Sequence, residues 1–176
     1  MRKSLTVAAL VVVGCAFALV QAQQTKTTGL TALDYAEIQQ LYSHYAYAYD
    51  SGTIDEYTNM FTPDAEFIIT GGQTFKGPTR LAQLVRSGPT GAGSPVKNRL
   101  TLNHFTTNVA IDPMPLGAKG RAYLAVIEVR KGGDRFVRSS GLYEDVLVKT
   151  DNGWRFKSRV YTRLPDPDGV ATPPTQ

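Results

Sequence analysis

Apolar positions in residues 30–61 recur at helical spacing. Leu33, Ile38, Leu41, Tyr42, Tyr45 and Tyr49 fall on one face, which predicts an amphipathic helix burying that stripe. Thr31 suits its N-cap, with Asp34 three residues on and Leu30 and Tyr35 placed as a hydrophobic staple. Ser51-Gly52 predicts its end, with glycine in the left-handed conformation. Thr53-Ile54-Asp55-Glu56 reads as a second capping box, opening a short helix that buries Tyr57, Met60 and Phe61 and ends at Thr62-Pro63-Asp64. Residues 65–70 then read as a strand, Gly71-Gly72 as a turn and residues 74–76 as its partner. Gly77-Pro78 opens a third helix with Leu81, Leu84 and Val85 buried and Gly88 as its stop.

From residue 99 the period changes to that of strands. Residues 100–111, 119–129, 135–148 and 154–164 are separated by turns at residues 112–117, Gly132-Gly133-Asp134 and Asp151-Asn152-Gly153. Three helices with a small hairpin among them, followed by a four-stranded antiparallel meander, make an α+β domain. The expected form is a cone: a curved antiparallel sheet with the N-terminal helices packed on its concave face and an apolar pocket between the layers. Residues 88–98 read as a flexible lid or connector. They have glycines but lack the Gly-Lys-Ser/Thr ending of a phosphate loop.

The first residues belong to a different pattern. Met1-Arg2-Lys3 and the apolar run of residues 5–20 predict a signal peptide cut after Ala22, so that the product is secreted or periplasmic. The run is a little short for a stable membrane span. Val12-Val13-Gly14-Cys15 offers the lipoprotein alternative, with Cys15 acylated. The remaining chain divides into a polar linker at residues 23–30, the domain at residues 31–164 and a proline-rich tail at residues 165–176. Cleavage removes the only cysteine, and with it any disulfide or thiol chemistry. It also lowers Lys+Arg from 19 to 17 against 15 Asp+Glu, a net charge near +2. With charges this dispersed, a nucleic-acid partner is not expected. Two histidines without ligand spacing give no metal site, and there is no Gly-x-Ser-x-Gly elbow for a serine nucleophile.

Candidate chemistry gathers at Tyr45-Ala46-Tyr47-Ala48-Tyr49-Asp50. Asp50 faces the negative end of the helix dipole among aromatic side chains, a setting suited to a base. Asp-Ser-Gly is equally ordinary turn chemistry on a solvated corner. His104 shares a strand face with Leu102 and Thr106, where it can exchange a proton with a ligand or rest against a neighbour. His44 lies off the buried stripe and reads as a surface residue. A tyrosine hydroxyl in an apolar site can donate to a developing oxyanion, and Tyr45 is the first choice for that role; core packing is the competing role for these rings. Trp154 reads as core, and Arg121, Arg155 and Arg159 as outward-facing.

Three stretches carry a family resemblance. They are residues 38–50 with Asp55 and Phe61-Thr62-Pro63-Asp64-Ala65; Leu102-Asn103-His104-Phe105 leading into Asn108-Val109-Ala110-Ile111-Asp112; and Gly141-Leu142-Tyr143-Glu144-Asp145 followed by Asp151-Asn152-Gly153-Trp154-Arg155-Phe156. In this order they resemble the nuclear transport factor 2-like superfamily in its SnoaL-like branch. Within it, the chain is similar to scytalone dehydratase and the bile-acid 7α-dehydratases. The resemblance implies an aspartate–histidine pair at Asp50 and His104, with Tyr45 as donor to substrate oxygen. Tyr49, Phe67, Tyr123 and Tyr143 would line the substrate pocket. Both enzymes carry one further polar catalytic residue on the next strand, where this chain has Tyr123-Leu124-Ala125-Val126-Ile127.

The function expected is an exported, cofactor-free dehydratase or isomerase acting on a hydrophobic cyclic small molecule. The alternative is a non-catalytic small-molecule-binding or dimerisation module of the same fold. The resemblance also implies a homodimer formed through the sheet.

Overall fold

A computed structural model describes residues 29–87, 101–130 and 132–164. The expected signal peptide, the 88–98 connector, the Gly88 stop and the C-terminal tail lie outside the described residues. Helix α1 spans Ala32–Ser51, α2 Ile54–Thr58 and α3 Gly77–Ser87; the strands are β1 Phe61–Ile69, β2 Thr74–Lys76, β3 Leu102–Met114, β4 Gly117–Val129, β5 Arg135–Thr150 and β6 Gly153–Arg163. They form one six-stranded sheet in the order β2-β1-β6-β5-β4-β3. All neighbours are antiparallel except β1 and β6, which run parallel. The helices pack on the concave face of this mixed, mostly antiparallel curved sheet.

Three one-residue bulges help to curve the sheet, each adding local twist where an extra residue is left unpaired. The registers shift between Thr107 and Ala110 on β3, between Val126 and Ile127 where β4 meets β5, and between Val146 and Leu147 where β5 meets β6. At the first, Asn108 takes a left-handed conformation, with φ of 54°. Each bulge also switches which alternate residues face the helices. On β3 the inward series Leu102, His104, Thr106 becomes Val109, Ile111.

Both capping boxes form: Thr31 with Asp34, and Thr53 with Glu56. Each satisfies main-chain donors that the first turn leaves open, worth about 1 kcal/mol. Several local expectations are corrected. Leu33 is 63% exposed, because the buried stripe of α1 starts at Asp34 and Ile38. Gly52 ends α1 in an extended conformation, with φ of −81°, not the left-handed one. Strand β1 begins at Phe61, ahead of the expected start at 65, since Phe61 already pairs with Phe156 of the parallel strand β6. Strand β3 runs on through Asp112 and Pro113 to Met114, against Gly117–Lys119 of β4.

The core between the layers is aromatic. Tyr42 and Tyr45 of α1, Tyr57 of α2, Phe61 of β1, Tyr143 of β5 and Phe156 of β6 are all buried. Tyr45 lies at its centre, its ring 5.5–6.1 Å from those of Tyr49, Tyr57, Phe61, Tyr143 and Phe156. Such edge and tilted contacts add about 0.5–1.5 kcal/mol per pair beyond burial. Among the described residues no helix is long and apolar enough to cross a membrane.

Candidate functional site

Helix α1 is tied to the sheet at three heights, each a little over two turns from the next. At its N-terminal end the Asp34 carboxylate accepts from the Thr31 main chain and hydroxyl. Its Oδ1 also accepts from Lys149 Nζ at 2.7 Å and Trp154 Nε1 at 3.1 Å. These donors hold the Asp34 carboxyl well below the usual carboxylate range, Lys149 first and Thr31 next. Trp154 is core, as its position after the turn suggests, and its one polar atom is thereby used.

At mid-helix the Tyr42 hydroxyl donates to Asp145 Oδ2. Asp145 in turn accepts from Arg159 Nε and Nη2, both at 2.8 Å, in a two-pronged pair fully shielded from solvent. Burial pushes the Tyr42 phenol far up, and the Asp145 charge adds to that. Arg159 was expected to point outward and does not. The bulge that inserts Lys157 between Phe156 and Ser158 shifts the alternation of β6 by one, so that Arg159 and Tyr161 turn inward. Its guanidinium carbon stands 4.0–4.1 Å from the rings of Tyr45, Tyr143 and Phe156. Cation–π attraction partly replaces water there. Strict alternation hides this arginine. The available signal was Asp145, in phase with Tyr143 and Leu147 on β5: a carboxylate on a buried face needs a cation.

At the C-terminal end Asp50 meets His104. Asp50 Oδ1 lies 2.5 Å from His104 Nδ1, and Oδ2 accepts the His104 main-chain N–H at 2.8 Å. The two side chains are only 11% and 10% exposed. An ionised Asp50 assigns the proton to Nδ1 and leaves the Nε2 lone pair free. The Tyr49 ring packs on the imidazole, with centroids 4.5 Å apart and planes at 55°. Burial pushes the Tyr49 phenol far up, so it stays neutral at physiological pH.

The other residues singled out in the sequence divide in two. Tyr45 is buried one turn before Tyr49 in the aromatic core, Tyr143 is fully enclosed beside Tyr45, and Phe67 is buried on β1. Tyr123 does not join them. It is 52% exposed, because Ala122 and Leu124 occupy the inward positions of β4 and place Tyr123 on the opposite face. His44 is exposed, as read from the pattern. Opposite His104 on β4 stands Val126, buried and apolar. The nearest polar group along the same face of β3 is Thr106, whose buried Oγ1 has no hydrogen-bond partner among the described residues.

What this arrangement can do follows from the dyad. A histidine held in one tautomer by a carboxylate, with no hydrogen bond to its second nitrogen among the described residues and the Tyr49 ring against it, is able to take a proton from a bound molecule and return it.

A sequence profile of the SnoaL-like domain matches residues 30–160. Solved structures of the same fold align over most of the chain. An NTF2-like protein with a cystatin-like fold from Novosphingobium aromaticivorans is 22% identical, covering 78% of this chain and 84% of that one, with a TM-score of 0.66. A protein from Catenulispora acidiphila, solved in complex with S-DNPA, is 26% identical, covering 76% and 95%, with a TM-score of 0.61. A second Novosphingobium aromaticivorans protein, provisionally named a scytalone dehydratase, is 20% identical, covering 76% and 85%, with a TM-score of 0.59. None of the curated proteins compared matches the chain significantly.

Proposed function

Starting from a chain that belongs to the SnoaL-like family, we propose a cofactor-free acid–base enzyme, a dehydratase or isomerase, acting on a hydrophobic cyclic small molecule. The observation that carries this reading is the Asp50–His104 pair. One carboxylate orients the imidazole through Nδ1 and fixes its main chain through the adjacent N–H. In the proposed reaction His104 Nε2 takes a proton from a carbon made acidic by a neighbouring carbonyl. Asp50 stabilises the imidazolium so formed, and the same proton is returned at another atom or passed to a departing hydroxyl. Tyr49, against the imidazole, offers a flat apolar surface for a ring. Tyr45 supplies a phenol hydroxyl one helical turn deeper. A structural neighbour solved in complex with S-DNPA is consistent with small-molecule binding by a protein of this fold.

The experiment is α-proton exchange in D2O, followed by proton NMR, with α-tetralone, β-tetralone and indanone as probes. Wild-type protein should accelerate exchange over buffer, and His104→Asn should abolish the acceleration. Equal rates in the two proteins would sink the acid–base reading.

A second reading is a binding module of the same fold. Val126, apolar where the resembling dehydratases carry a third catalytic group, favours it. Under that reading the ketones bind but do not exchange. We further propose export after cleavage near Ala22, to be checked by N-terminal sequencing of the extracellular or periplasmic protein. A homodimer would form through the outer sheet face bearing Phe105, Tyr123 and Val137, all more than half exposed; sedimentation equilibrium reads it directly.

A further inference from the structure

Tyr57 is fully buried on the short helix α2. Tyr45, Tyr49 and Phe61 enclose its ring at centroid distances of 5.5, 5.6 and 5.3 Å. Its hydroxyl, shielded from water, has no hydrogen-bond partner among the described residues. The Tyr45 hydroxyl is its polar neighbour and helps to raise the phenol, but no contact of the Tyr57 hydroxyl meets both the distance and the angle of a hydrogen bond. Burial pushes the phenol far up, with Tyr45 and Tyr49 adding to the effect, so the group is a neutral donor at any physiological pH.

A donor in this state has given up its bonds to water and gained none, a cost that phenylalanine at the same position would not carry. Its place in the fold is specific. Tyr49 contacts both it and the imidazole of His104, with its ring centroid 4.5 Å from the imidazole and 5.6 Å from the Tyr57 ring. Tyr49 is only partly buried, whereas Tyr45 and Phe61 are buried, so of the three rings around Tyr57 it is the one that reaches the surface of the core.

We propose that the Tyr57 hydroxyl is a ligand contact of this site, donating to an oxygen of the bound molecule. The ligand class is then narrower than a hydrophobic ring: it is a cyclic compound bearing a carbonyl or hydroxyl oxygen remote from the carbon that His104 addresses. The inference rests on the acid–base reading for the location of the site, but its test does not depend on turnover.

The test is a matched pair of probes, β-naphthol and β-methylnaphthalene, which differ by an oxygen in place of a methyl group. Dissociation constants are measured by calorimetric titration of wild type and of Tyr57→Phe, with melting temperatures recorded alongside. Wild type should prefer the naphthol by about tenfold, the worth of one hydrogen bond that the methyl compound cannot make. Tyr57→Phe should bring the two probes to within about twofold of each other, while melting at the same temperature as wild type or above it. A wild type that binds neither probe or shows no preference overturns the inference. So does a variant that keeps the preference, or one that melts lower, which would make the hydroxyl a structural group. Catalysed ketone exchange without a naphthol preference counts against Tyr57 alone. A naphthol preference without exchange counts against the acid–base reading alone.

Discussion

Asp50 holds His104 by two atoms at once, the ring Nδ1 and the main-chain N–H. The residue at the end of α1 thus sets both the tautomer of the histidine and the position of the strand that carries it. A single hydrogen bond would fix one and leave the other free.

Replacing Asp50 separates these two effects. In Asp50→Asn the amide oxygen can still accept the His104 main-chain N–H, so folding should survive with a loss of about 1 kcal/mol. The amide nitrogen then faces Nδ1 as a donor and moves the imidazole proton to Nε2, the nitrogen that must act as base. Ketone exchange should fall by roughly 10²–10⁴-fold. A variant with wild-type exchange would remove Asp50 from the mechanism.

Arg159 is predicted to be a stability residue of the first rank. Arg159→Met leaves the Asp145 carboxyl without its cation in an aromatic core, at a cost of about 3–5 kcal/mol in urea unfolding. Arg159→Met combined with Asp145→Leu should recover most of that loss, because the penalty lies in the orphaned carboxyl. An additive double variant would show that the pair is not energetically coupled.

The tie at Asp34 gives the acid limb of the stability curve. Its carboxyl is held below the usual range, chiefly by Lys149 and then Thr31. A depressed carboxylate stabilises the fold in full above its unfolded value of about 4, and the contribution is lost as pH falls through the lower folded value. Asp34→Asn should therefore flatten the decline in melting temperature on acidification from about pH 5 downward. An unchanged slope would mean that other carboxylates carry the acid transition.

Gly120 of β4 is required by close approach. A methyl group there would stand 2.1 Å from the Tyr42 hydroxyl and 3.0 Å from Leu147 Cδ1. Tyr42 cannot swing away, because it is fully buried and its hydroxyl is engaged by Asp145. Gly120→Ala should cost about 1–3 kcal/mol as overpacking. Adding Tyr42→Phe should return part of the loss, and a double variant weaker than either single would contradict the steric account.

Much of this molecule is local, and the local part is legible in the chain. Two capping boxes, the glycine-bearing turns and the change from helical to strand period depend on neighbours within a few residues. They mark α1, α2, α3 and the four-stranded meander without knowledge of the fold. The buried stripe Ile38, Leu41, Tyr42, Tyr45 is likewise a property of one helix. Asp50 and His104, as candidates, are visible because their residue types sit at an aromatic helix end and on a strand face, in an order that resembles a known family.

What alternation along a strand cannot supply is its phase after a bulge. A bulge is set by how two strands meet, and one unpaired residue turns every later side chain to the other face. The bulge at Lys157 carried Arg159 from the surface into the core, and with it the buried pair to Asp145. Inward Ala122 and Leu124 place Tyr123 outside, although the strand itself is legible in the sequence. The meeting of Asp50 with His104 is also a tertiary fact. The sequence put a carboxylate at the end of one helix and an imidazole on one strand. Only the packing of α1 against β3 brought them within hydrogen-bond reach, because the distance between them depends on the curvature of a sheet that no single segment encodes.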